Sequence, residues 1–237
     1  MTGPNRRTFL FQGGAGLAAT TAAARARGAS KAEPIVMGAI GVGGQGLNLL
    51  RRFASLPGVE FAYVCDPDET RRVAAATAVR IVSGKAPRAV KDLREVLDDR
   101  AVDAVTVATP DHWHAPAAIL ALNAGKHVYV EKPCSHNVRE GRLLVEAAGR
   151  AGKVVQHGTQ SRSDAVVRHG VRLLREGVIG DVLVARAFNV QKRADIGRAA
   201  PSEPPRGFDY DLWVGPAAFV PFQSNRHLYT WHWWYEF

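Results

Sequence analysis

The chain has 237 residues, 46% of them hydrophobic and 22% charged, with 23 Gly and 13 Pro. That composition excludes collagen-like, disordered and disulfide-scaffold chains, and no run of about 18 apolar residues is present to cross a membrane. The formal charge of +9 does not point to nucleic acid, because residues 1–33 hold five Arg or Lys against one Glu and the other +5 is scattered. Isolated arginines without a basic block interleaved with aromatics describe a solvated surface, so no nucleic-acid partner is expected.

The first thirty residues read as an address. Asn5-Arg6-Arg7-Thr8-Phe9-Leu10 precedes a mildly apolar Gly/Ala/Leu stretch reaching Ala24, after which small residues and arginines follow. The pattern resembles a bacterial twin-arginine export signal over residues 1–30, a route that carries folded proteins. A periplasmic or exported location is therefore expected, with any cofactor loaded beforehand and no membrane-spanning segment in the mature chain.

From Pro34 onward, short β-branched runs alternate with helical ones. The pattern predicts strands at Ile35–Ile40 and Val59–Cys65, with helices at Leu47–Ser55 and Glu69–Ser83. A turn at Gly84–Pro87 leads to a short helix, Leu93–Asp98, with Asp92 as its N-cap. Strands at Val102–Ala108, His127–Val130 and Val154–His157 then alternate with helices at Ala115–Ala124 and Asn137–Ala151, each ending at a glycine. Strands that are apolar throughout and separated by helices imply a doubly wound α/β domain, a Rossmann-type parallel sheet over about residues 34–158. Residues 159–237 read as the beginning of an incomplete α+β open-sheet domain, with a helix over Arg162–Glu176, a strand over Val182–Val190, and loops at Pro201–Pro205 and Gly215–Pro216.

Gly41-Val42-Gly43-Gly44-Gln45-Gly46 is a G-x-G-x-x-G loop directly after the first strand and opening the first helix. In that setting the first Gly makes the turn, the second admits a pyrophosphate, and the third lets helix pack on strand. Asp66 closes the second strand, where a carboxylate accepts from ribose hydroxyls and repels a 2′-phosphate, so NAD is expected over NADP. Arg71 and Arg72 nearby keep NADP open. Cys65 and Cys134 are too few for a disulfide framework or a thiolate zinc site and read as small buried residues. His112, His114, His127, His136 and His157 lack an acidic or thiolate partner at ligand spacing, so no metal is expected.

Three further stretches carry a family resemblance: Val107-Ala108-Thr109-Pro110-Asp111-His112-Trp113-His114, Gly125 to Pro133 ending in Glu131-Lys132-Pro133, and Asp209 to Pro216. With the glycine loop they resemble the glucose–fructose oxidoreductase / inositol dehydrogenase (Gfo/Idh/MocA) family, from about Ile35 to Phe237. The resemblance implies an NAD(P)-dependent enzyme acting on a hydroxyl/carbonyl pair of a sugar, cyclitol or related polyol, and a homo-oligomer. It carries onto Lys132 the role of approaching the reacting hydroxyl, onto Glu131 a place beside the nicotinamide ribose, and onto Thr109, Pro110 and His114 a cofactor-side wall. By the same resemblance Gln160 borders the nicotinamide. The tail from Trp231 to Phe237 resembles the subgroup that carries twin-arginine signals. Its tryptophans Trp231, Trp233 and Trp234 are expected to pack rather than to line a sugar pocket.

The family's Asp–His pair lies beyond a glycine-rich stretch for which this sequence has no match, and His232 lies too early to supply it. The sequence thus reads as C-terminally truncated. Two alternatives follow: an NAD-dependent glycosidase or lyase that uses transient oxidation, and a truncated dinucleotide-binding protein without turnover.

Overall fold

Each apolar run between Ile35 and Gly158 becomes a strand of one parallel sheet, and the helices between them cover both faces. A computed structural model describes residues 33–227 and 229–237; the twin-arginine segment lies outside them. The strands are β1 (Ile35–Ile40), β2 (Val59–Cys65), β3 (Arg88–Val90), β4 (Ala104–Val107), β5 (His127–Glu131) and β6 (Val155–Gly158). The helices are α1 (Gly44–Ala54), α2 (Glu69–Ser83), α3 (Leu93–Leu97), α4 (Asp111–Asn123), α5 (Val138–Ala151), α6 (Ala165–Arg175) and α7 (Tyr210–Val214). The six-stranded order is β3-β2-β1-β4-β5-β6, with every pairing parallel, so the winding reverses between β1 and β4. Ile40 lies opposite Cys65 and Val107, and Val107 opposite Val130. The carboxyl ends of the four central strands therefore finish level.

Alternation along the strands divides the core. Met37, Ala39, Phe61 and Val64 pack with Leu50, Ala54, Ala75 and Val79 of α1 and α2. Ile40, Tyr63, Val105, Val107 and Val130 pack on the other side with Val96, Ala117, Ala121, Leu122 and Leu144. Asp92 caps α3 by accepting from Arg94 N at 2.9 Å, as its sequence position predicts. Asp68 caps α2 and Asn137 caps α5 in the same way.

Several boundaries differ from the sequence reading. Helix α4 starts at Asp111 rather than Ala115, with Pro110 as its N-cap and Pro116 inside its second turn. The edge strand β3 went unpredicted, since only Val90 of its three residues is buried. Cys65 is buried as expected, whereas Cys134 is only half-buried. The largest correction falls on Val182–Val190, which forms no strand. Its alternation has no ladder partner among the described residues, and Leu183 and Val190 are exposed. A lone extended segment exchanges no hydrogen bonds for those it makes with water.

Phe208, Tyr210, Trp213, Val214, Phe222 and Phe237 form instead a largely aromatic cluster. It docks on the first turn of α4. His112 Nε2 sits 3.0 Å from Trp213 O, and Trp113 Nε1 donates to Leu212 O and Trp213 O, both at 3.1 Å. Gly215 makes room for this: with φ of +47°, a Cβ there would fall 2.1 Å from Trp113 Cζ2. Lys91 pairs with Asp209 at 2.8 Å, and Asp209 N donates to Pro67 O at 3.1 Å, which fastens the cluster beside β2. Trp234 packs against it as expected; Trp231 packs against it too but also lines the cavity at the carboxyl ends of the strands, contrary to expectation, and Trp233 remains exposed.

Two predictions follow from this packing. Leu122→Ala should cost about 2–5 kcal/mol in urea unfolding, whereas Val171→Ala on the exposed helix α6 should stay within about 0.5 kcal/mol. The second concerns His112, whose imidazole burial pushes down to about 4 from an ordinary 6.5. The neutral ring's stability is fully present above about pH 6.5 and is lost toward pH 4, because the unfolded chain takes up a proton that the folded ring refuses. Unfolding at pH 7.5 and 4.5 should show a loss of up to about 3 kcal/mol that His112→Gln reduces.

Candidate functional site

The level carboxyl ends at the β1/β4 reversal open a crevice, the place where doubly wound sheets bind ligands. A cavity of about 580 Å³ occupies it, within the range of small-molecule and cofactor pockets. Gly41, Gly43, Gly44 and Gln45 line one side, Thr109, Pro110, Asp111 and His114 the β4 end, and Glu131, Lys132 and Gln160 the β5 end.

The glycine loop is shaped by backbone proximity. Gly41 has φ of +77°, and a Cβ there would lie 2.6 Å from Thr109 N. A Cβ on Gly46 would lie 2.0 Å from Gly41 O, so only glycine lets α1 begin this close to β1. Gly44, by contrast, faces open space. Gly43 caps α1 without a side-chain acceptor, which leaves the first-turn N–H groups and the positive end of the helix dipole for an anion.

Asp66 is buried and spends its carboxylate on the loop: Oδ2 accepts from Val42 N and Oδ1 from Asp68 N, each at 3.0 Å. Burial raises its pKa, and these two N–H groups oppose the rise. Val42, Gly46 and Asp66 thus hold the loop's shape and do not line the cavity, whereas Arg71 does. Arg71 reaches the loop from the first turn of α2, its Nη1 3.1 Å from where a Gly43 Cβ would sit.

At the opposite end, Glu131 is buried, and its Oε1 accepts from Gln45 Nε2 at 3.0 Å and from Gln160 Nε2. Lys132 is exposed to the cavity, and its backbone N–H donates to Glu131 Oε2 at 3.2 Å. His114 bridges two loops, with Nδ1 at 2.5 Å from Pro133 O and Nε2 at 2.8 Å from Thr109 O. Thr109 Oγ1 is buried without a hydrogen-bond partner among the described residues. Burial raises the pKa of Asp111, and the charges of His114, His232 and Lys132 pull it back.

The far wall escaped the sequence reading. Trp213, Tyr229, Trp231 and His232 close the cavity from the aromatic cluster's side, with Trp231 and His232 stacked at 3.6 Å. Their types were visible, but their arrival here depends on docking across about a hundred residues. No three His, Cys, Asp or Glu among the described residues gather as a metal site.

The residues fit a dinucleotide. The loop is a cradle that side chains would fill, a helix N-terminus faces it, and Thr109 offers an unused hydroxyl. Comparison with known proteins agrees. Residues 35–159 match the Gfo/Idh/MocA oxidoreductase family with its NAD-binding Rossmann fold. The α-N-acetylgalactosaminidase of Shewanella oneidensis is 31% identical over 173 residues, which cover 69% of this chain and 37% of that protein. The WlbA dehydrogenase of Bordetella pertussis, solved with NADH and UDP-GlcNAcA, shares 27% identity at a TM-score of 0.53 over 61% of this chain and 43% of its own. KijD10, a 3-ketoreductase of Actinomadura kijaniata solved with TDP-benzene and NADP, shares 29% identity at a TM-score of 0.55 over 63% and 46%. The chain spans about 37% of the length of the curated relatives it matches. With its family signature, glycine loop and strand order in agreement, the chain belongs to the Gfo/Idh/MocA oxidoreductases, and Ile35–Thr159 is their NAD-binding Rossmann domain.

Proposed function

We propose that this chain serves an NAD(P)-dependent oxidoreductase that interconverts a hydroxyl and a carbonyl on a sugar, cyclitol or related polyol. One observation carries the reading: the glycine loop, Thr109, Glu131 and Lys132 meet in a single cavity with an aromatic far wall. A bound nicotinamide supplies or accepts the hydride. Lys132 donates a hydrogen bond to the substrate oxygen and holds the charge or proton that develops there. Glu131 fixes the end of β5 from which Lys132 projects. The loop and the first turn of α1 hold the diphosphate, and Asp66 holds the loop. The carboxylate after β2 that would select NAD is turned onto Val42 N and Asp68 N, and Arg71 stands on the cavity wall, so the site admits either NAD or NADP.

A second reading keeps the cofactor and changes the outcome. The relative named as an α-N-acetylgalactosaminidase favours transient oxidation of a glycoside followed by bond cleavage, with Trp231 and His232 on the wall that meets the sugar. Export rests on Arg6-Arg7 and the apolar stretch after them, and homo-oligomerisation on the family resemblance.

Calorimetry against NAD and NADP tests the cofactor half of this proposal. Asp66→Ala should weaken NAD binding roughly tenfold or more, because two charge-assisted backbone hydrogen bonds are lost with it. Unchanged affinity would refute its role. Absorbance at the reduced-nicotinamide band, over a panel of sugars, keto-sugars, cyclitols and aryl glycosides, tests the reaction. Lys132→Ala should lower turnover by about 10²–10⁴-fold with NAD affinity nearly unchanged, and wild-type-like turnover would remove Lys132 from the chemistry. Cleavage of an aryl glycoside without net reduction of NAD would select the second reading.

A further inference from the structure

Gln45 occupies a position of G-x-G-x-x-G where the motif demands nothing, yet its side chain does not point idly into solvent. Its amide donates to Glu131 Oε1 at 3.0 Å, linking residues 86 apart in sequence. β4 lies between β1 and β5 in the sheet, so this link crosses over the end of β4, above the crevice itself. Gln160, just past β6, brings a second amide to the same oxygen and also donates to Tyr129 OH at 3.2 Å. Gly158 leaves the space for this junction, because a Cβ there would fall 2.8 Å from Tyr129 OH and 3.1 Å from Glu131 Oε1.

The donor set is informative. Glu131 is 3% exposed, and no Lys, Arg or His among the described residues lies within ion-pairing distance of it. Its Oε1 is occupied by two neutral amides, while Oε2 receives only the Lys132 N–H at 3.2 Å. A carboxylate with an occupied oxygen and an under-used one is oriented rather than neutralised, and Glu131 is one of the residues that line the cavity.

Resting on the cofactor reading above, we infer that Gln45 and Gln160 are positioning residues that orient the Glu131 carboxylate, through Oε1, so that Oε2 accepts from a hydroxyl of the nicotinamide-side ribose. The diphosphate loop and the Lys132 segment are thereby joined by a side-chain clamp, and seating the diphosphate sets the geometry at the reacting end. Gln160 acts through Glu131 in this arrangement, not by touching the nicotinamide.

The test uses two ligands, NADH and ADP, where ADP reports the loop alone because it lacks the second ribose. In Gln45→Met, which keeps the shape and removes the donor, NADH affinity by calorimetry should fall about tenfold while ADP affinity stays within about twofold. Equal losses for both ligands would show that Gln45 only shapes the loop, and no loss for either would show that the clamp is idle; both overturn the inference. A double-mutant cycle gives a second check, since Gln45→Met should have no further effect on NADH in a Glu131→Met background. Additive losses would overturn the clamp. Should Glu131→Met fail to fold, the NADH-to-ADP comparison in Gln45→Met decides alone. Wild-type protein that binds neither ligand would instead sink the cofactor reading itself.

Discussion

Two pieces of backbone meet at the glycine loop with no room between them for a side chain. Gly46 in the first turn of α1 lies against Gly41 O, and Gly41 in turn lies against Ala108 and Thr109 at the end of β4. These contacts fix where α1 starts relative to β1 and β4, and with it the width of the crevice at the winding reversal. Larger residues would push α1 off the sheet, separating Leu50 and Ala54 from Phe61 and Val64 in the core. The same contacts aim the helix N-terminus into the cavity. One constraint thus serves packing and anion recognition together, because the helix sits close enough for the first and its dipole points correctly for the second.

A second tier of structure depends on that crevice and is built differently. Asp66, Glu131 and His114 are buried polar side chains, and each binds backbone or neutral partners rather than an opposite charge. Asp66 holds the loop, Glu131 holds β5 to it, and His114 ties the β4 and β5 loops together. Hydrogen bonds of this kind are directional, and a buried group left without them is costly, so they specify loop geometry that apolar contact alone would leave loose.

What the sequence disclosed follows from how local each feature is. Buried parallel strands are apolar on both faces, so Ile35–Ile40 and Val59–Cys65 stand out with no knowledge of their neighbours. The glycine loop stands out because its requirement is written into adjacent residues. Asp66 was recognisable by its place after β2, but its hold on Val42 and Asp68 depends on side-chain direction, which spacing does not encode. Val182–Val190 alternates as a strand would, yet a strand exists only with a partner, and no local pattern supplies one. The far wall was hardest to see. Tyr229, Trp231 and His232 reach the cavity from a segment that His112 and Trp113 hold against α4 and Asp209 fastens beside β2, contacts between residues a hundred or more apart.

This division has a functional consequence. The cofactor side of the cavity is made by loops springing directly from the sheet, where one shifted backbone atom disturbs the core. The opposite wall is made by an aromatic segment that leans on α4 through one histidine, one tryptophan and a glycine. Substitutions on that wall alter the shape and polarity of the cavity and leave the backbone contacts of Gly41, Gly46 and Thr109 in place. Asp111 stands where the two sides meet, in the first turn of α4, which also carries His112 and Trp113. It lines the cavity together with Lys132, His114 and His232; burial raises its pKa, and the charges of those three side chains oppose the rise. Both sides of the cavity thus bear on one carboxylate, His232 from the aromatic wall and Lys132 from the end of β5.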